Sequence, residues 1–348
     1  MKVAGIIGER QSQLMEKPVP HARGELALVK ILTAPMCTEY KLFESGEKTC
    51  CLGHEAAGEV VEVAQPSRVK AGDRVVVMPL YACGQCPLCL KGDYIYCQHQ
   101  LDFSQAAGQA TGNITYAQYL LKQDWLLAPI PDEVSYEHAS MACCGLGPTF
   151  GAMQRMQADA FDTILIAGMG PVGLGGIVNG LFRGMRVIAV EAHPYRAKLA
   201  LKLGATAVIN PQEADPLGQI MDLTHGLGVD NFIDCTGVPA AQRLGIDAVR
   251  RRGQVAFVGE GGNLNIHVGN DMLRKGLALH GSWHYNLGDV PRLMQVITRS
   301  AKLLDELITH KFAMEDIQHA FELQLTRNCG KVILYPWQTS GSLEEEIT

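Results

Sequence analysis

Along its first half this chain alternates short apolar runs with glycine-, proline- and charge-rich breaks. ELALVKIL and AAGEVVEV are rich in β-branched and aliphatic residues and predict strands. KAGDRVVVMP predicts a turn feeding another strand. After about residue 150 the period changes. TILIAGMGPVGLGGIVNGLFRGMRVIAVE predicts strand, glycine turn, helix and strand, which is a βαβ unit. AKLALKLGA then predicts a helix leading into the strand TAVIN, and DNFIDCTG, AAQRLGIDAVRR and GQVAFVGEGG predict strand, helix and strand. Such alternation argues for a parallel, doubly wound sheet. Further on, DVPRLMQVITRSAKLL predicts a helix, KVILYP a strand, and TSGSLEEEIT a frayed polar tail.

At 348 residues the chain exceeds one ordinary hydrophobic core, so two domains are expected. Net charge is -6 and mean hydropathy +0.05. There is no basic footprint for nucleic acid and no apolar stretch long enough for a transmembrane helix. The apolar run after Lys2 is too short for a signal peptide. Eleven cysteines, an odd number with metal-like spacings, argue for reduced thiols and a cytoplasmic setting.

Four of those cysteines, Cys83, Cys86, Cys89 and Cys97, lie in CGQCPLCLKGDYIYC. Four thiolates can close a tetrahedral shell around one zinc ion, which leaves no open position for chemistry. A second motif follows the strand TILIA. Gly168, Gly170 and Gly173, with Pro171 and Val172 between them, form G-x-G-x-x-G at the start of a helix. The first glycine allows the tight turn, the second lets backbone approach a pyrophosphate, and the third permits close helix packing. Glu191 ends the next strand, where a carboxylate accepts bonds from ribose hydroxyls and repels the 2′-phosphate of NADP. Arg196 stands nearby as a residue able to accommodate phosphate, yet Glu191 favours NAD over NADP.

Away from the four-cysteine lobe stand Cys37, the pair His54-Glu55, and the pair Cys143-Cys144. Two thiolates and an imidazole would leave a fourth zinc position open for chemistry, although spacing alone does not bring these residues together. In order along the chain, Cys37, GHE at 53–55, GDRV at 72–75, the four-cysteine lobe, the Cys144 region and the glycine motif resemble the zinc-containing medium-chain alcohol dehydrogenase family. That family includes sorbitol, threonine and sugar-phosphate dehydrogenases.

The resemblance implies a GroES-like β-rich catalytic domain (residues 1–145 with 287–348) and an inserted Rossmann domain (146–286). It implies two zinc ions per chain, with Cys37, His54 and Cys144 as catalytic ligands and Glu55 as the adjacent carboxylate. Cys144 is chosen over Cys143 because Phe150 follows it by six residues, as in the family. Thr236, Gly237, Val258, Gly259, Ser282 and Trp283 are implied as cofactor contacts. Where relatives carry a Ser or Thr proton relay two residues past the first ligand, this chain has Glu39, with Thr38 beside Cys37. The relay is therefore Thr38, or Glu39 acting as a base, unless Glu39 faces solvent. Tyr116 and Tyr119 read as strand packing, and His284 as a structural histidine.

The function expected is NAD-dependent oxidation of a small secondary alcohol, polyol- or sugar-like, to its ketone by a homodimer or homotetramer. Its rivals are an NADP-dependent aldehyde or ketone reductase, and a zinc- and nucleotide-binding protein without turnover.

Overall fold

The computed structural model describes residues 1–103 and 115–341. The chain divides into two compact units. One comprises Met1–Cys144, Asn286–Ala301 and the segment from Ile308 onward; the other comprises Gly145–Tyr285 with Lys302–Leu307.

In the first unit β1 (Lys2–Gly8) and β2 (Gln11–Glu16) form an antiparallel hairpin. β3 (Leu26–Pro35) pairs antiparallel with β4 (Ala56–Glu62), which pairs with β5 (Arg74–Val77). β6 (Tyr119–Gln123) also lies against β3, and β7 (Leu127–Pro129) against β5. β3 is buried along almost its whole length because it has neighbours on both edges. Its aliphatic side chains join Val60, Val75, Val77 and Phe321 in one core. Burying such a side chain is worth roughly 1.5–3 kcal/mol, so the interior of this sheet can carry polar groups only where they are paired.

The second unit holds β8 (Thr163–Ala167), β9 (Arg186–Val190), β10 (Ala207–Ile209), β11 (Val229–Asp234), β12 (Val249–Phe257) and β13 (Ala278–Gly281). All pairs are parallel, in the order β10-β9-β8-β11-β12-β13. The order reverses between β8 and β11, and such a switch point opens a crevice at the carboxyl ends of the strands. The doubly wound sheet expected from the alternating pattern is present, and its strands read as continuous apolar runs because both faces are covered.

The first unit's sheet is completed by β14 (Ile308–Ala313) and β15 (Lys331–Tyr335), β15 pairing with β3. Several details depart from the sequence reading. Residues 249–251, expected at the end of the helix AAQRLGIDAVRR, already belong to β12. Lys302–Leu307, expected in the GroES-like domain, fall in the second unit. The β1–β2 hairpin was not anticipated. The expected single helix DVPRLMQVITRSAKLL is two, Val290–Arg299 and Ala301–Leu307, broken where Ser300 leaves helical geometry. Residues 342–348 of the expected polar tail lie outside the described residues. Among the described residues no helix is long and apolar enough to cross a membrane.

Candidate functional site

The four-cysteine lobe is built by two short helical turns. Pro87 starts the helix Pro87–Leu90 directly after Cys86, which brings Cys89 round beside it, and the turn Tyr94–Tyr96 delivers Cys97. The Sγ atoms of Cys86 and Cys89 are 3.5 Å apart, those of Cys83 and Cys97 3.5 Å, and the Cys83–Cys89 and Cys86–Cys97 pairs 4.0 Å. A tetrahedral shell with metal–sulfur bonds of about 2.3 Å spaces its sulfurs ~3.8 Å apart. Backbone N–H groups of Cys83 and His99 donate to Cys97 Sγ, and those of Gln85 and Cys86 to Cys83 Sγ. The thiols are electrostatically unequal. Backbone N–H donors hold Cys86 down to about 6, whereas burial pushes Cys89 well up. Four packed sulfurs resist ionising together without a cation, so the donor set fits zinc. Asn286 Nδ2 ties the lobe down by donating to Lys91 O (2.7 Å) and Asp93 Oδ1 (3.0 Å).

The second cluster gathers Cys37 from the end of β3, His54 and Glu55 from the entry to β4, and Cys144. One ligand atom from each lies within 4.8 Å of the others. His54 Nε2 is 3.2 Å from Cys144 Sγ and 3.9 Å from Glu55 Oε1. The preceding Gly53 has φ +86°, and a Cβ there would sit 2.2 Å from Thr115 Oγ1, so only glycine admits this approach to His54. The neighbouring Cys143 turns away, its thiol donating to Val77 O at 3.3 Å.

Glu39 is 7% exposed and spends both carboxylate oxygens internally. Oε1 is 2.7 Å from His54 Nδ1, while Oε2 accepts from Tyr116 Oη (3.0 Å) and the Cys37 N–H (3.2 Å). A carboxylate can only accept here, so Nδ1 carries the proton and Nε2 presents its lone pair to the cluster. Burial would raise the Glu39 pKa, but the charge and hydrogen bond of His54 outweigh it and hold the carboxyl at about 2. The solvent-facing Glu39 considered from sequence is thereby corrected, and a Glu39 committed to these three donors is not free to serve as a base. Thr38, by contrast, is exposed beside Cys37.

Glu55 and Lys331 are both fully buried, with Lys331 Nζ donating to Oε1 at 2.6 Å. Glu55 Oε2 accepts the Cys144 N–H at 3.2 Å. Burial pushes Glu55 up to about 7 against the pull of Lys331. Burial would lower Lys331, but Glu55 and the two thiols raise it, and we take this lysine as charged because three acidic groups surround it. Cys144, hydrogen-bonded to Cys37 and buried, is pushed well up while Cys37 is held well down. The thiol pair thus shares one proton, and a divalent cation is the group that would release it. A buried ion pair of this kind rarely stabilises a fold more than apolar packing would, which points to a task beyond stability.

Sequence reasoning missed Lys331 and Tyr116 as parts of this site. The signal for Lys331 was a lone charge heading the apolar strand KVILY. Tyr116, read as packing, is indeed fully buried, but its hydroxyl reaches Glu39.

The expected cofactor residues gather at the carboxyl ends of the second unit's strands. Gly168 (φ +88°) turns the chain out of β8, and a Cβ on Gly173 would lie 1.8 Å from Gly168 O. Above Gly170 the space is open, with only Arg196 Nη1 at 3.9 Å from a Cβ position. Pro171 and Val172 begin the helix Pro171–Phe182 whose N-terminus faces that space. Glu191 closes the loop, accepting from the Met169 N–H (2.7 Å) and the His193 N–H (2.8 Å). Thr236 and Gly237 cap Asp234 at the end of β11, and the N–H groups of Val258 and Gly259 donate to the Asp234 carbonyl. Ser282 is buried, its hydroxyl 3.4 Å from Pro148 O, whereas Trp283 is 43% exposed. The open floor and the free helix end fit a dinucleotide. His284 is buried and packs against Tyr285.

Comparison with known proteins places both halves. Residues 24–132 match the alcohol dehydrogenase GroES-like domain, and residues 171–299 the zinc-binding dehydrogenase domain. Sorbitol dehydrogenase of Bacillus subtilis is 30% identical over 97% of this chain and 97% of its own. L-threonine 3-dehydrogenase of Pyrococcus horikoshii is 32% identical over 92% of this chain and 94% of its own. In fold, the alcohol dehydrogenase TADH of Thermus sp. ATN1 superposes with TM-score 0.87 at 24% identity, covering 96% of this chain and 99% of that one. These matches run the length of both units: the chain belongs to the zinc-containing medium-chain alcohol dehydrogenase family and is an oxidoreductase of alcohols.

Proposed function

We propose that this enzyme oxidises a small secondary alcohol, polyol- or sugar-like, to its ketone with NAD as hydride acceptor. The observation that carries the reading is the convergence of Cys37, His54 and Cys144 beside the buried Glu55. These three would hold the catalytic zinc, and Cys83, Cys86, Cys89 and Cys97 the structural one. When bound, zinc supplies Lewis acidity towards the substrate oxygen and the nicotinamide accepts hydride.

The remaining work falls to the chain's own residues. Glu39 holds His54 in the Nδ1–H tautomer and fixes its ring. Glu55, anchored by Lys331 and the Cys144 N–H, places a buried carboxyl group beside the ligands. Thr38 has the exposed hydroxyl from which the substrate proton can pass to water. In the second unit, the glycine turn at 168–173 receives the pyrophosphate, with Thr236, Gly237, Val258, Gly259, Ser282 and Trp283 along the rest of the cofactor. Glu191, at the end of β9, supports NAD over NADP, since a 2′-phosphate would meet its carboxylate. Relatives named for sorbitol, L-threonine and D-arabitol phosphate support a polyhydroxylated or secondary alcohol. A cytoplasmic homodimer or homotetramer completes the proposal.

Initial rates for a panel of polyols, sugar phosphates and simple alcohols, each with NAD and with NADP, test it. Turnover of a secondary alcohol with a clear NAD preference is expected. A strong NADP preference would overturn the role given to Glu191.

A further inference from the structure

The helix Ile317–Thr326 lays Ile317, Ala320 and Phe321 into the first unit's core, where Phe321 stacks on Phe43 with ring centroids 4.8 Å apart. The next residue on that stripe is Gln324, and only 5% of it is exposed. An apolar side chain is the ordinary occupant of such a place. The glutamine is satisfied at one end alone. Its Nε2 donates to the Cys37 carbonyl at 3.3 Å, while Oε1 has no partner among the described residues. The partner dictates this orientation, because a carbonyl accepts and cannot donate, so the amide nitrogen must face Cys37.

An unpaired buried acceptor costs stability, and a single side-chain bond to a carbonyl does little more than offset it. As a contribution to the fold, the amide compares poorly with a leucine or a methionine. What it touches supplies the reason for it. The Cys37 N–H is bonded to Glu39 Oε2 at 3.2 Å, and the Met36 N–H donates to Val332 O of β15 at 2.8 Å. Gln324 takes the remaining polar group, the Cys37 C=O. Glu39 stands at the start of the helix Tyr40–Ser45, so two separate elements grip the peptide planes on either side of Cys37. That grip sets the direction of the Cα–Cβ bond and with it the sulfur.

We propose that Gln324 is a positioning residue for the Cys37 thiolate, held in an apolar stripe at a cost in stability because it orients a zinc ligand. The proposal rests on the reading of Cys37 as a ligand. Gln324 acts through the Cys37 backbone. The four-cysteine lobe, held by its own N–H donors, serves as an internal control.

Gln324→Met removes the amide and its orphaned acceptor with little change in volume. Zinc-loaded parent and variant are compared by melting and by zinc release to a graded chelator. The variant should melt at or above the parent, because the unpaired acceptor is gone. One of its zinc ions, the one whose loss stops turnover, should nevertheless leave at a chelator concentration about tenfold below that needed for the parent. The lobe's ion should leave as it does from the parent. An unchanged release of both ions overturns the proposal, and so does an equal shift in both. A variant that melts below the parent or fails to fold also overturns it, since the amide would then serve the fold. A parent holding only the lobe's ion removes the zinc reading of Cys37 and the proposal with it; with two ions in the parent, unchanged release removes the proposal alone.

Discussion

Glu39 gives the clearest lesson at the scale of single residues. A carboxylate two positions past Cys37 was open to several sequence readings, from base to solvent-facing charge. The fold settles its surroundings, with Glu39 donating nothing and accepting from His54, Tyr116 and the Cys37 N–H. Replacing an outer partner of a metal-binding histidine typically costs 10–100-fold in metal affinity or activity. Glu39→Gln should accordingly lose zinc from the Cys37 cluster at a chelator concentration roughly tenfold or more below that needed for the parent. Unchanged chelator sensitivity would remove the positioning role. Glu55 and Lys331 make a parallel case. Lys331→Met leaves a buried carboxylate unpaired, and should lower stability by about 3–5 kcal/mol in denaturant titration.

Lys122 is a buried amine with a different fate. Its ammonium donates to Leu80 O and lies 4.0 Å from the centre of the Tyr81 ring, and burial pulls its pKa down to about 7. The unfolded chain, near 10.5, binds the proton more tightly over that interval, so stability rises as pH climbs from about 7 towards 10. The slope from this one group is at most about 1.4 kcal/mol per pH unit. Denaturant unfolding across that range should show the rise, and Lys122→Met should flatten it. A parent curve that falls over this window would contradict the account.

At the scale of elements, legibility followed burial. β8 to β12 could be read from sequence because strands covered on both faces need unbroken apolar runs, and helices between them need the longer period. The β1–β2 hairpin escaped because QSQLME is polar and half-exposed, so its strand character comes from pairing with β1. The lobe of four cysteines was legible from spacing, since two short turns are all it takes to gather the sulfurs. The Cys37 cluster was not, because its members come from distant segments: the end of β3, the entry to β4 and the turn that follows the helix Tyr136–Ser140. The lobe makes its own prediction. Cys86→Ser removes a wall of the shell and should lower zinc content by one ion and depress Tm, while a soluble variant retaining both ions would contradict its structural role.

For the whole molecule, the two units divide the chemistry between them. One gathers two thiols, an imidazole and a buried carboxylate; the other offers a glycine turn, a free helix N-terminus and Glu191. Family membership accounts for alcohol oxidoreduction, and the proposed zinc ligands are the claim on which the mechanism rests. Zinc content and turnover of the parent and of Cys144→Ser, measured together on protein that still binds NAD, test that claim most directly. The account predicts two zinc ions per chain in the parent, one in Cys144→Ser, and turnover lost with the missing ion. Two ions and undiminished turnover in Cys144→Ser would contradict it.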